Sequence, residues 1–444
     1  MEKTLATMER VYSHKFGLSN YKTSTDRYTL SVFLKNHQLK AGNTIPMHFS
    51  MTQINNHDIG LGGATSLNSM KSQIRAYGEF MERWCSDCDS DDFTDNMLFD
   101  SYDNLTAKGL ACLNLEELIP FEDHLYDDPM FPMPKYHTSL PISWISGIDL
   151  INDATTWLPA QKIFLRYPSP KEELMYIRRI STGLACGSSF RQAALGAIYE
   201  VVERDSFMLT WLLKIPGTTI EIDSCRNKEL KPLYNHICKH LTGEDKLFIY
   251  DISKTEGVYT ILAFIKNALP SAYGLVVAAS SHADPEVALL KALEELCQSQ
   301  SFAYSNLLGE QGKEYQQLKI QDIDTLHKHF YYYSTGKHSN NIDFISDSKK
   351  CVRLSQMESY AQDSEKVSLE YLVQLFCQKE QPVYLADITK PELRFNGFHV
   401  LKAVIPGYVD LETTQHAKQL KYNRLQKYKE ELGAEINKAP HPFP

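Results

Sequence analysis

The 444-residue sequence has no run approaching the ~20 consecutive apolar residues that a membrane-spanning helix requires. Its opening, MEKTLATMERVYSHKFG, carries acidic residues and lacks the apolar segment of a secretory signal. Positive charge is also short: 46 Lys and Arg against 55 Asp and Glu leave a net charge of −9. Such a chain exerts no long-range attraction on phosphate backbones or anionic lipid, so neither nucleic acid nor a membrane surface is expected as a partner. Disulfide staples are not needed at this size, and the nine cysteines, scattered from Cys85 to Cys377, read as reduced thiols of a cytoplasmic protein. The CxxC at Cys85 and Cys88 has no second half to complete a tetrahedral zinc site. Nucleotide fingerprints are missing too. There is no GxxxxGKS or GxxxxGKT; STGKHS (334–339) lacks the upstream glycine, and GLGGAT (60–65) puts Thr65 where GxGxxG needs its last glycine.

What is present is a large apolar fraction, 43%, enough for a sizeable core. Runs rich in β-branched and aromatic residues predict strands at 28–34, 258–266, 272–280, 382–388 and 399–405. Helical periodicity predicts helices at about 66–86, 189–213, 285–306, 364–378 and 413–431. The alternation implies a mixed α/β fold with helices packed on sheet, read as one domain over 1–444. The acidic stretch 85–104 is expected as a surface loop, and 310–360 as a polar excursion from the core.

One pattern occurs twice. GEFMERW (78–84) and IYEVVERDS (198–206) each contain Glu, two residues, Glu, Arg inside an apolar helical run. Residues three apart on a helix are neighbours, so Glu79 with Glu82 and Glu200 with Glu203 each present two carboxylates in one direction. Like charges on a partly buried face raise each other's pKa and need an opposing charge. Arg83 or Arg204 would suffice on an open surface. Around Glu200 and Glu203, however, apolar residues surround nearly the whole helix, and a hard divalent cation bound through carboxylate oxygens is the sharper reading.

A third helix, HADPEVALLKALEELCQSQ, begins with Asp284 as N-cap and Pro285 at the first helical position. Lys291, Glu295 and Gln298 recur along it at i, i+4 and i+7, either a surface ion pair or a third face of the same site. Ahead of the second carboxylate pair, STGLACGSS leads into a helix at Phe190. Its backbone amides could take an anion, but Ser189 and Gln192 also form a capping box that accounts for both residues.

IRAYGEFMERW, STGLACGSSFRQAALGAIYEVVERDSF and DPEVALLKALEELCQ, in this order and spacing, resemble the three nucleotide-binding segments of YcaO proteins. LADITKPELRFNGFHVLKAVIPGYVDL (385–411) is similar to that family's closing strand region, and the final PHPFP resembles the proline-rich terminus of members that make thiazolines and oxazolines. The resemblance implies a YcaO-type fold around an ATP and Mg2+ site, and an enzyme that phosphorylates peptide backbone amide oxygens. Glu79, Glu82, Glu200 and Glu203 would hold Mg2+ against the ATP phosphates, with Arg204, Lys291 (in the usual place of Arg) and Glu295 beside them. Gln192 stands where many members have Glu, and Ser188 where Asn is common; both are carried as cofactor-binding candidates. Pro440, Pro442 and Pro444 would insert the tail next to the nucleotide, with the Pro444 carboxylate organising proton transfer.

The expected substrate is a ribosomal precursor peptide. About 60 residues precede the first carboxylate helix, too few for the domain resembling ubiquitin-activating (E1) enzymes that larger members carry, so an E1-like leader-recognition partner protein is expected. A flavin-dependent azoline dehydrogenase is a further possible partner, and a homodimer the expected assembly. Thioamide or amidine formation, or a peptide-binding scaffold without catalysis, are the competing readings.

Overall fold

The computed structural model describes residues 1–16, 21–26, 47–54, 62–88, 97–241, 245–267, 274–307 and 310–444. The strand expected at 28–34 and the middle of the acidic stretch, 89–96, lie outside the described residues.

Three sheets carry the fold. Strands β1 (Tyr21–Asp26), β2 (His48–Ile54) and β3 (Gly62–Ser66) form a small antiparallel sheet. A second sheet has β4 (Met97–Ser101), β5 (Pro141–Asp149), β6 (Ala154–Pro159) and β7 (Leu184–Gly187) among its members. It runs β4-β5-β13-β14-β7, with β6 also pairing β5, where β13 is Tyr384–Asp387 and β14 is His399–Val404. The third, ordered β11-β10-β9-β8-β12, comprises β8 (Thr218–Glu221), β9 (Asp245–Asp251), β10 (Tyr259–Asn267), β11 (Leu275–His282) and β12 (Cys351–Arg353).

The third sheet is covered on both faces, which is why β10 and β11 read as unbroken apolar runs. Ile261, Ala263 and Ile265 of β10, with Val276 and Ala278 of β11, pack among Ala288, Leu289, Ala292, Leu293 and Leu296. The alternate residues Leu262, Phe264, Val277 and Ala279 share a different core with Phe207, Met208, Trp211 and Phe443. A period of two thus assigns each side chain to one of two layers.

The helices that matter follow from their caps and stripes. Beginning with α1 (Glu2–Phe16), the next, α2 (Ser69–Ser86), starts where Asn68 accepts the Lys71 N–H at 3.1 Å, and buries Ala76, Tyr77, Phe80, Met81, Trp84 and Cys85. Helix α3 (Phe190–Leu212) is capped by Ser189 and buried almost all round, between the second and third sheets. Helix α4 (Pro285–Leu307) starts where the Asp284 carboxylate accepts the N–H groups of Glu286 (2.8 Å) and Val287 (3.3 Å), as its sequence foretold. Helix α2 packs on β3, β7 and β14, α3 on β7 and β14, and α4 on β3, so neighbouring strands bring the three helices together. Among the described residues, no helix is long and apolar enough to cross a membrane.

Some expectations need correction. Met97–Ser101 of the acidic stretch is strand β4, and Ser101 caps a short helix, Tyr102–Ala107, by accepting the Asn104 N–H at 3.2 Å. Within 310–360, the helix Leu326–Ser334 buries His329, Phe330, Tyr331, Tyr332 and Tyr333, and β12 pairs in parallel with β8, so this segment returns to the core. The helix expected over 413–431 starts only at Asn423 and ends at Leu432. Before it, Gln415 gives its N–H to Ile323 O (3.0 Å) and Lys421 to Pro120 O (2.9 Å), so these amides serve tertiary contacts instead of a helix.

Candidate functional site

Packing of the apolar stripe of α2 turns Glu79 and Glu82 towards the neighbouring strands. Glu79 Oε2 accepts the Gly63 N–H of β3 at 2.8 Å, and its Oε1 lies 3.6 Å from the Arg83 guanidinium. Glu82 Oε1 accepts the Cys186 N–H of β7 at 2.8 Å. On α3, Arg204 stands 3.8 Å from Glu200 and 3.6 Å from Glu203, contacts too long for hydrogen bonds. Its Nε and Nη1 are buried with no hydrogen-bond partner, although the cost of leaving such donors unsatisfied is ~1–3 kcal/mol each. On α4, Lys291 and Glu295 complete the group, and Gln298 donates to Gly63 O at 3.2 Å, closing the ring back to β3.

The charges of all three helices act on one another. Burial pushes the Glu82 carboxyl up to about 8, and Glu200 and Glu79 add to the shift. Burial also raises Glu200 and, far more, Glu203, against the attraction of Arg204. Glu295 rises to about 7 by burial, with Arg204, Lys291 and Arg75 opposing. The Lys291 ammonium is pushed down by burial and by Arg75. Yet only Glu203 is closed off from solvent; Glu79, Glu82, Glu200 and Lys291 keep partial access and Glu295 is exposed.

Glu79, Glu82, Glu200, Glu203, Arg204, Lys291 and Glu295, expected together, therefore share one neighbourhood. Ser188 and Gln192 are engaged with each other: Gln192 Oε1 accepts the Ser188 N–H (2.7 Å) and hydroxyl (2.9 Å), while Ser189 Oγ accepts the Gln192 N–H at 3.0 Å. Eight residues separate Gln192 from Glu200, about 12 Å along a helix axis. Ser189 thus caps the helix as expected, but the Gln192 side chain reaches past it to Ser188, so the reciprocal half of the capping box does not form. The loop before it is pinned by Gly183, whose φ of 85° favours glycine and where a Cβ would lie 2.5 Å from Ala403 O.

The tail reaches the same region. Pro440, His441, Pro442 and Phe443 are buried and Pro444 is exposed. Tyr333 donates its hydroxyl to Pro440 O at 2.5 Å, and His441 stacks on His329 with centroids 4.1 Å apart. The Arg204 guanidinium lies 4.3 Å from the Phe443 ring centroid, a cation–π contact. Lys402, which the sequence reading did not single out, lies at the centre of β14, is fully buried and donates to Ile180 O at 2.7 Å. A single lysine inside the apolar run HVLKAVI was the signal for it. Burial, then Lys162, pushes its ammonium down to about 7, while Glu200 and Asp410 oppose.

The residues fit a hard cation and a polyphosphate. Five carboxylates offer oxygen ligands, and the orphaned Arg204 donors offer partners for an anion. Among the described residues no three His, Cys, Asp or Glu side chains form a ready metal cage. Mg2+ does not demand one, since it binds through one or two carboxylates with water and phosphate oxygens completing its shell. Two recesses, with about 280 and 340 Å3 of empty space, are lined by Lys162 and Asp410 among others and by none of the clustered carboxylates.

A family model described as YcaO cyclodehydratase, ATP- and Mg2+-binding, matches residues 64–409, well over half of the chain. The chain belongs to the YcaO family. ATP and Mg2+ are the cofactors that come with this membership. Among YcaO structures, that from Methanopyrus kandleri bound with AMPPCP and Mg2+ is similar with a TM-score of 0.65, at 17% identity, covering 92% of this chain and 91% of that one. A heterocyclase in complex with substrate and cofactor gives 0.72 at 16% identity over 98% of this chain and 57% of that one. The E. coli microcin synthetase McbBCD complex gives 0.60 at 18% identity, with coverages of 82% and 85%. At these identities the likeness is one of fold. An uncharacterized protein of Methanothermobacter thermautotrophicus is 24% identical over 271 residues, 60% of this chain. The chain spans 65% of that relative's length and 57% of the heterocyclase's.

Proposed function

We propose that this YcaO protein is an ATP- and Mg2+-dependent cyclodehydratase that converts Cys, Ser or Thr residues of a ribosomally made precursor peptide to thiazolines or oxazolines. The observation that carries the reading is the meeting of five carboxylates from three helices with the cations Arg204, Lys291, Arg75, Arg83 and Lys402. Glu79, Glu82, Glu200 and Glu203 would hold Mg2+; Arg204 and Lys291 would face phosphate oxygens, and Glu295 would orient Lys291. Bound ATP supplies the phosphoryl group that makes a backbone amide oxygen a leaving group, a step an amide cannot take unaided. Overall, one ATP becomes ADP and phosphate as the side-chain sulfur or oxygen closes on the preceding carbonyl carbon and the peptide loses the elements of water.

The protein's own residues would bind, orient and exclude water. Glu295, raised towards neutrality, can give or take a proton near pH 7. The tail, Pro440 to Pro444, lies against Arg204 through Phe443 and is proposed to organise proton transfer during ring closure. Proline restricts the conformations lost on insertion and so favours one placement. An E1-like partner protein would recognise the leader of the precursor, and a flavin-dependent dehydrogenase could act on the rings afterwards; the multi-component microcin synthetase is a similar structure that supports division among chains.

The test is mass spectrometry of a candidate precursor incubated with this protein, its partner, ATP and Mg2+. Loss of one water per modified Cys, Ser or Thr, with matching ADP release, is the expected result. Exchange of oxygen for sulfur would indicate a thioamide, and a chain that binds no ATP would be a scaffold.

A further inference from the structure

The polar face of α2 begins one turn before the residues used so far. Arg75, Glu79 and Glu82 stand at i, i+4 and i+7, as Lys291, Glu295 and Gln298 do on α4, so each helix presents a cation and then a carboxylate along one stripe. Gly63 joins the stripes through its N–H to Glu79 and its carbonyl to Gln298. Behind them Glu294, 4% exposed at its side chain, forms an ion pair with Arg75 Nη1, accepts the Ser66 hydroxyl at 2.9 Å, and lies 3.6 Å from Lys71. Arg75 keeps 31% of its side chain exposed, and only one of its guanidinium nitrogens goes to Glu294. Its charge acts on Lys291 and Glu295, and its partial exposure leaves the rest of the guanidinium accessible to solvent.

Two cations held side by side repel unless an anion lies between them. Lys291 is a point charge, whereas a guanidinium presents a planar fork that matches two phosphate oxygens. We propose that Arg75, clamped by Glu294 at the seam of α2 and α4, is a further nucleotide-binding residue that donates to non-bridging phosphate oxygens beside Lys291. This rests on the ATP-binding reading above. A structural tie between helices is the competing role, and apolar replacement of both partners separates the two, because a matched apolar pair can restore packing but cannot bind phosphate.

The experiment titrates the magnesium complex of a non-hydrolysable ATP analogue into the full chain and its variants by calorimetry, with adenosine as the phosphate-free control. Arg75→Met is expected to weaken analogue binding ~tenfold or more, the scale of a lost charge-assisted contact, and to leave adenosine unchanged. Arg75→Met with Glu294→Leu should recover the melting temperature and not the affinity. Analogue binding by Arg75→Met within twofold of the unaltered chain, or affinity regained together with stability in the double variant, overturns the role of Arg75 alone. Absence of analogue binding by the unaltered chain overturns the ATP-binding reading and this inference with it.

Discussion

At the scale of single residues, the site holds charges that folding alone would not select. Glu203 is 7% exposed, the Arg204 guanidinium stands 3.6 Å from it, and burial raises its carboxyl well above the usual range. Removing that charge should therefore stabilise the ligand-free protein while disabling it. Glu203→Gln is expected to raise the thermal midpoint measured without Mg2+, and to lower ATP turnover by about 100-fold or more, on the scale of losing one group that stabilises developing charge. A second expectation concerns pH. Burial pushes the folded Glu82 carboxyl up from its ordinary 4.5 to about 8, so folding gains from a protonated Glu82 below about 4.5 and loses that gain as pH rises through about 8. Mg2+ competes with the same proton. The rise in melting temperature caused by Mg2+ should consequently grow between pH 6 and pH 8.5; a rise independent of pH would remove Glu82 from the metal site. Much of this was legible, because two acidic residues three apart inside an apolar helix have few other uses. Arg75 and Lys402 were not singled out, since an isolated cation acquires meaning only when its neighbours in space are known.

At the scale of elements, long helices with matching caps were readable: Asp284 with Pro285, and Ser189 with Gln192, mark starts that the folded chain keeps. Short strands were readable only in part. The run at 382–388 did foretell the four-residue β13, but β7, also of four residues, is too short for a periodic signal, and β5 begins at a proline and contains Gly147. The late start of the last helix, Asn423–Leu432, follows from tertiary bonds outside its own sequence. That helix is fastened to α3 by Arg424, whose Nε donates to Asp205 Oδ2 at 2.8 Å, while the Val409 N–H reaches Oδ1 at 3.0 Å. Asp205 is fully buried and directly follows Arg204, so this pair sets the tail's approach to the site. Asp205→Ala leaves Arg424 without its partner and is expected to cost about 3–5 kcal/mol of stability in urea denaturation, as breaking one side of a buried ion pair does. Phe443→Ala acts differently. It removes the ring from Arg204 and should lower cyclisation more than it lowers affinity for the ATP analogue, which paired turnover and binding measurements would separate.

At the scale of the whole molecule, the residues from Glu79 to Glu295 come together only because α2, α3 and α4 belong to different layers that meet at β3, β7 and β14. Composition indicated a mixed fold and helical periodicity indicated its three main helices, but no local pattern specifies which sheet each helix covers. The seam between α2 and α4 is tied by polar contacts: Gly63 to Glu79, Gln298 to Gly63, Thr65 and Ser66 with Arg75 to Glu294, and Lys71 3.6 Å from Glu294. Glu200 of α3 repels both Glu82 of α2 and Glu295 of α4 beside it. Without ligand this seam should open more readily than the third sheet, whose strands β10 and β11 are apolar on both faces. A ligand that binds only the closed arrangement stabilises it by about 2.7 kcal/mol at a concentration 100 times its Kd, equivalent to roughly 100-fold slower opening exchange. Hydrogen exchange with and without the magnesium analogue should show that protection concentrated in residues 62–86 and 285–298, with the amides of β9 and β10 changing less. Equal protection across all three sheets would mean that the seam opens only when the entire fold does, and that the charges across it do not govern its motion.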